Sequence, residues 1–199
     1  KTTTLRIIAS ILKPTIGEVK VCGLDIVKSQ LEAQKKIGFL TGSTGLYERL
    51  TPNELILYFG ELYGVEKTMI EKRKSELYDL LDMHDFQDKR IGKLSTGMRQ
   101  KVSIARTMIH DPEVVIFDEP TSGLDVITAE NIIQLIKNCK EQGKTVIFSS
   151  HIMGEVELLC DDLAIIHKGV LKFSGTMNDF RENMTTSNIT EEFIKTIKG

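Results

Sequence analysis

The chain has 199 residues, 41% of them hydrophobic, and a formal net charge of −2. That is enough for one packed domain, or one domain with a smaller lobe. The near balance of charge excludes a general pull toward nucleic acid or an anionic membrane, and no apolar run approaches the roughly 20 residues that cross a bilayer.

Cys22, Cys139 and Cys160 lie far apart and form no CxxC pair, so a reducing compartment is expected. No secretory signal is expected before the fold. KTTTLRII opens directly on a helical pattern, with Leu5, Ile8, Ala9 and Leu12 on one face. Lys13-Pro14 is expected to end that helix, because proline disfavours helix in the residue before it. Glu18 to Cys22, between Gly17 and Gly23, reads as a short strand. Lys36 to Leu40 (KIGFL) reads as another, followed by the small-residue loop TGSTG.

Thr51-Pro52-Asn53-Glu54 spells a capping box with proline at the first helical position. The helix that follows carries Leu55, Tyr58, Phe59 and Leu62. Thr68, with Glu71 three residues on, signals a second helix with Ile70, Leu77, Leu80 and Leu81 apolar. A third starts at Ser95-Thr96-Gly97, with Met98, Val102, Ala105 and Ile109 inward. Together they predict an all-helical insertion over 41–110, longer than an ordinary connection between strands.

An alternation of strand and helix returns over 111–175. Val114 to Phe117 is an unbroken apolar run of the kind buried in a parallel sheet. Ala129 to Lys140 predicts a helix with Ile132, Ile133, Ile136 and Cys139 inward, and Thr145 to Ser150 a buried strand. LAIIHKGVLKFSG predicts two strands turning at Lys168-Gly169. A polar tail over 176–199 holds two short helical patches. The fold class expected is α/β, a mostly parallel sheet flanked by helices.

The chemistry gathers between Leu94 and Asp125. Asp118 and Glu119 end the apolar strand, and open α/β sheets place their ligands at the C-terminal ends of strands. Asp118 is a candidate Mg²⁺ partner, since Mg²⁺ is content with one carboxylate, waters and phosphate oxygens. Glu119 is a candidate base for an attacking water. Ser95, Thr96 and Gly97 open a helix whose free N–H groups and dipole suit phosphate. Lys1-Thr2, leading into a helix, match the last letters of the phosphate-binding G-x-x-x-x-G-K-[ST] loop. In such a loop the lysine reaches the β- and γ-phosphates and the hydroxyl ligates Mg²⁺. The chain is therefore expected to begin inside that motif.

LSTGMRQ resembles the signature motif of ABC-family ATPases, usually LSGGQ. VVIFDEP resembles their Walker B strand with its glutamate, SGLD (Ser122 to Asp125) their D-loop, and Ser149-Ser150-His151 their switch histidine. The motifs stand in family order, and the resemblance spans essentially the whole chain. It implies a P-loop NTPase-type sheet with a helical signature subdomain, binding ATP and Mg²⁺ in a head-to-tail pair of cassettes. By that resemblance Lys1, Thr2, Thr3, Asp118 and Glu119 hold the nucleotide and its metal. Ser95, Thr96 and Gly97 close over the nucleotide of a second ATP-binding domain. His151 contacts the γ-phosphate and Asp125 links the two sites.

The resemblance further implies a transmembrane permease subunit as partner, and a place at the cytoplasmic face of the membrane. Leu46, Tyr47, Leu50, Tyr58 and Tyr63 are candidate contacts for that partner. TGSTGLYERLTPNEL is similar to the sodium-export branch, so an exporter is expected. A soluble ATPase of the same superfamily, or a module that has lost catalysis, is the alternative. Two departures stand out. Gly42 sits where the family commonly has glutamine, with Ser43 or Thr44 as hydroxyl substitutes. The glycines of the phosphate loop are absent, so this chain alone is expected to bind ATP poorly. Equal nucleotide affinity of this chain and a longer form would count against that.

Overall fold

The computed structural model describes residues 1–41 and 45–198. The chain divides into two compact units: Thr2–Ser149, and Ser150–Gly199 with Lys1.

The first unit is built on three parallel strands in the order β3-β4-β5: β3 (Ile37–Thr41), β4 (Val114–Asp118) and β5 (Thr145–Ser149). The VVIF run forms the middle strand, which explains its unbroken hydrophobicity: both of its faces are covered. Register sorts the side chains. Ile37, Val114, Ile116 and Ile147 share one face and pack with Leu5 and Ala9 of the first helical segment, and with Val21, Ile26 and Ala33. Gly38, Leu40, Val115 and Phe117 share the other. There helix α5 (Thr96–Met108) comes so close that a Cβ on Gly38 would lie 2.8 Å from the Thr107 carbonyl oxygen. Only glycine allows that approach without displacing the helix.

Helix α1 (Thr2–Ile8) ends earlier than proline alone predicts. The chain breaks at Ser10, whose φ is 59° and whose buried hydroxyl donates to the Ile26 carbonyl at 2.8 Å. A tertiary hydrogen bond thus ends the helix before Pro14 can. Leu12, expected inward, is 42% exposed. The strand expected over Glu18 to Cys22 contracts to β1 (Lys20–Val21), paired antiparallel with β2 (Leu24–Asp25). Cys22 and Gly23 both have positive φ, as a two-residue hairpin turn with the strands' own twist requires. Helix α2 (Gln30–Lys35) follows; neither β2 nor α2 is signalled by the sequence pattern.

The helical insertion holds α3 (Pro52–Leu62), α4 (Lys67–Leu81) and α5, with short 3-10 turns at His84–Phe86 and Ile91–Lys93. The capping box at Thr51 is present in both directions: Glu54 N–H donates to the Thr51 hydroxyl, and Thr51 N–H to the Glu54 carboxylate. The buried face of α3 is Leu55, Ile56 and Gly60, whereas Tyr58 and Leu62 are exposed. Helix α4 starts one residue before Thr68, with Glu66 as its N-cap and no side-chain cap bond. Thr68 turns back instead to donate to the Glu66 carboxylate. In α5 and its cap, every residue from 101 to 109 is buried, including Lys101 and Arg106. Arg106 lies over the Phe59 ring at 5.2 Å, an arrangement that offsets part of the cost of burying a cation. Helix α6 (Val126–Glu141) buries Ile132, Leu135, Ile136 and Cys139, and Ile133 is only partly covered.

In the second unit, α7 (Met153–Leu159) precedes an antiparallel pair, β6 (Asp162–His167) and β7 (Val170–Thr176). Lys168 and Gly169, both at positive φ, make the expected turn. The two patches of the tail are α8 (Met177–Glu182) and α9 (Ile189–Lys198). Val156, Ile165, Met177, Phe180 and Ile189 form this unit's own core. Among the described residues, no helix is long and apolar enough to cross a membrane.

Candidate functional site

The three parallel strands end in step. Thr41, Asp118 and Ser149 are register partners at their C-terminal tips, so one hydroxyl, one carboxylate and a second hydroxyl stand side by side. The Ser149 hydroxyl donates to Asp118 Oδ1 at 2.6 Å and fixes that carboxylate's direction. The same hydroxyl accepts the Glu119 N–H at 3.1 Å, and the Ser149 carbonyl accepts it as well, also at 3.1 Å. One serine therefore sets both acidic residues. Sequence reading singles out its string only for the histidine that follows. Its role depends on which strand lies beside β4, which local pattern does not encode.

Glu119 has φ 51°, in the left-handed region that costs a non-glycine residue about 1–3 kcal/mol. The following residue is Pro120, which restricts Glu119 further. Ser122 N–H bonds back to the Glu119 carbonyl and Leu124 N–H to that of Thr121, giving two overlapping turns before Asp125. Such stored strain persists only where neighbours overdetermine it, and the doubly held Glu119 N–H is one such restraint.

A second cluster forms around the start of α5. Ser95 is the N-cap, its hydroxyl accepting the Met98 N–H at 3.2 Å, a contact worth about 1 kcal/mol. Ser95 and Thr96 are exposed, and Gly97 is partly covered. A Cβ on Gly97 would meet Thr128 Oγ1 at 3.2 Å and Asp125 Oδ2 at 3.5 Å, so the glycine seats α5 against the start of α6. Asp125 caps α6, accepting from the Thr128 N–H at 2.9 Å and the Thr128 hydroxyl at 2.8 Å. The Thr128 amide and hydroxyl hold the Asp125 carboxyl below the usual carboxylate range. Arg99 ties the same region together, donating to the carbonyls of Leu94 and Gly92. The two clusters meet where Gln100 Nε2 donates to the Pro120 carbonyl at 3.0 Å.

Thr2 and Thr3 are exposed in the first turn of α1, directly after the exposed Lys1. His151 is exposed in the turn after β5 and belongs to the second unit. Gly42, Ser43 and Thr44 lie outside the described residues. Among those described, no group of three or more His, Cys, Asp or Glu side chains forms a metal cage. A carboxylate with neighbouring hydroxyls is a hard-oxygen donor set that suits Mg²⁺, which keeps waters and phosphate oxygens for its other positions.

The candidate docking residues differ in exposure. Tyr47, Tyr58 and Tyr63 are exposed, whereas Leu46 and Leu50 are partly covered. Tyr47, Tyr58 and Phe59 contact one another, the closest pair edge to face at 5.4 Å.

The model of the ABC transporter family matches residues 1–122. The chain is 43% identical over its whole length to the ABC transporter ATP-binding protein NatA of Bacillus subtilis, and spans 82% of it. It is similar to a solved ATP-binding subunit of an ABC transporter, with a TM-score of 0.90 and 25% identity, over 98% of this chain and 82% of the other. It is also similar to a dimeric ATP-binding cassette in a post-hydrolysis state with ADP and Pi, with a TM-score of 0.78 and 28% identity, over 88% and 80%.

Proposed function

The chain belongs to the ABC transporter family of ATP-binding proteins, and from that premise we propose that it hydrolyses ATP to drive a membrane exporter. The observation that carries the reading is the pair Asp118 and Glu119 at the tip of the central parallel strand, both set by Ser149. Hydrolysis of a phosphoanhydride asks little covalent help from a protein; it asks for positioned charge and a positioned water. In this reading Asp118, with the Thr2 hydroxyl, holds Mg²⁺, and Lys1 reaches the phosphates. Bound Mg²⁺ supplies neutralisation of phosphate charge. Glu119 orients and deprotonates the attacking water.

Ser95, Thr96 and Gly97 serve the nucleotide of a second cassette, and Asp125 connects the two halves. The dimeric cassette structure supports that pairing, since this chain shares its fold. The aromatic face of Tyr47, Tyr58 and Phe59 suits a permease segment, because edge-to-face rings offer rigid, amphipathic contact area at low entropic cost. The wording of the loop after β3 supports export as the direction.

The test is phosphate release from the polypeptide carrying this cassette, alone and reconstituted with the membrane protein encoded beside it. Turnover is expected to require Mg²⁺, to stop with EDTA, and to rise when the membrane protein is present. A Tyr58→Asp form is expected to keep its basal turnover and lose that rise. Turnover indifferent to Mg²⁺ overturns the site reading, and Mg²⁺-dependent turnover that no membrane protein stimulates favours a soluble ATPase.

A further inference from the structure

We propose that Gln100 is a positioning residue for Glu119, and that through it the start of α5 governs the hydrolytic competence of its own chain's site. The proposal rests on the reading of Glu119 as the base. The Glu119 backbone is left-handed and precedes a proline, a conformation the residue does not hold without support. Support arrives from two sides. Ser149 holds the N–H of Glu119 with its carbonyl and hydroxyl. On the far side Pro120 has no N–H to offer, so its carbonyl is the polar group by which the turn can be gripped. Gln100 Nε2 donates to that carbonyl at 3.0 Å. The Glu119-Pro120 unit is thus clamped between a strand on one side and a helix on the other.

The helix matters as much as the bond. Gln100 lies on the same α5 that Ser95 caps and that Gly97 seats against Asp125 and Thr128. A displacement of the end of the helix at the exposed Ser95 and Thr96 therefore moves the donor that steadies Glu119. The surface offered to a second cassette and the base of the chain's own site become one mechanical unit. A misplacement of about 1 Å in such a group can cost about 10²-fold in rate.

The experiment compares Gln100→Met, which keeps length and loses the donor, with Gln100→Lys, which keeps a donor. Glu119→Gln is run alongside, all in the polypeptide carrying this cassette. Phosphate release at saturating ATP, nucleotide affinity and the thermal midpoint are measured. For Gln100→Met, kcat is expected to fall about 10²-fold while affinity stays within about twofold and the thermal midpoint stays near that of the parent. Gln100→Lys is expected to recover most of the loss. Parental kcat in Gln100→Met, when Glu119→Gln has lost turnover, overturns the proposal. So does a kcat loss matched by losses in affinity and thermal midpoint, which marks ordinary packing. Undiminished turnover in Glu119→Gln overturns the reading of the base and takes this proposal with it.

Discussion

Replacing Glu119 by glutamine is expected to lower ATP turnover by about 10²–10⁴-fold, the range a positioned acid or base supplies. Glutamine keeps the size of the side chain and can still hydrogen-bond, but it cannot take a proton from water. The local fold is expected to survive the change. The contacts that hold position 119 run from its backbone N–H to Ser149, and the turn is closed by the bond from Ser122 N–H to its carbonyl. Both are indifferent to the side chain. Nucleotide affinity is expected to remain within about threefold, since the change leaves the residues proposed to grip phosphate untouched. Phosphate release and nucleotide titration on the same preparation separate the two quantities. Turnover equal to that of the parent removes Glu119 from the role of base.

The second large effect concerns acid. His110 sits after α5, stacked on Tyr63 with ring centroids 3.8 Å apart, and its Nε2 donates to the Ile37 carbonyl at 3.2 Å. Burial pushes its pKa down to about 4 from an ordinary 6.5. The Ile37 carbonyl and Asp111 oppose the shift, and Arg73 and Lys144 add to it. The folded protein therefore prefers neutral His110, whereas the unfolded chain binds a proton already near pH 6.5. Between those values the unfolded state holds more protons, so stability rises with pH. This contribution is complete above pH 6.5 and is lost as pH falls toward 4, to a total of about 3 kcal/mol. By pH 5 about 2 kcal/mol of it should already be gone. Urea unfolding midpoints across this range check the slope, with His110→Gln as the comparison. Glutamine keeps a donor for the Ile37 carbonyl and does not titrate, so its slope should be markedly flatter. Equal slopes for the two proteins rule His110 out as the source.

Much of the architecture is legible in the residues because local chemistry dictates it. The capping box at Thr51, the cap at Ser95 and the turn at Lys168-Gly169 each use side chains or backbone freedom within a few positions. The buried strand before Asp118 is legible because a run covered on both faces has no polar alternation to break it. What escapes sequence reading depends on distant partners. The first helix stops where Ser10 finds the Ile26 carbonyl, sixteen residues away. The β2 strand is two residues long and exists only as the answering half of a hairpin. At the candidate site the acidic pair is visible in the sequence, while Ser149 and Gln100 are not. Their parts are set by a neighbouring strand 31 residues from Asp118 and a helix 20 residues from Pro120.

The enclosure of residues 101 to 109 on every side has a mechanical outcome. A rod gripped around its whole circumference cannot roll within its socket, and the ammonium of Lys101 and the guanidinium of Arg106 would lose their seats if it did. Whatever force a docked neighbour applies to the free tip at Ser95 is accordingly delivered as a tilt or slide of the entire rod, carrying its socket along.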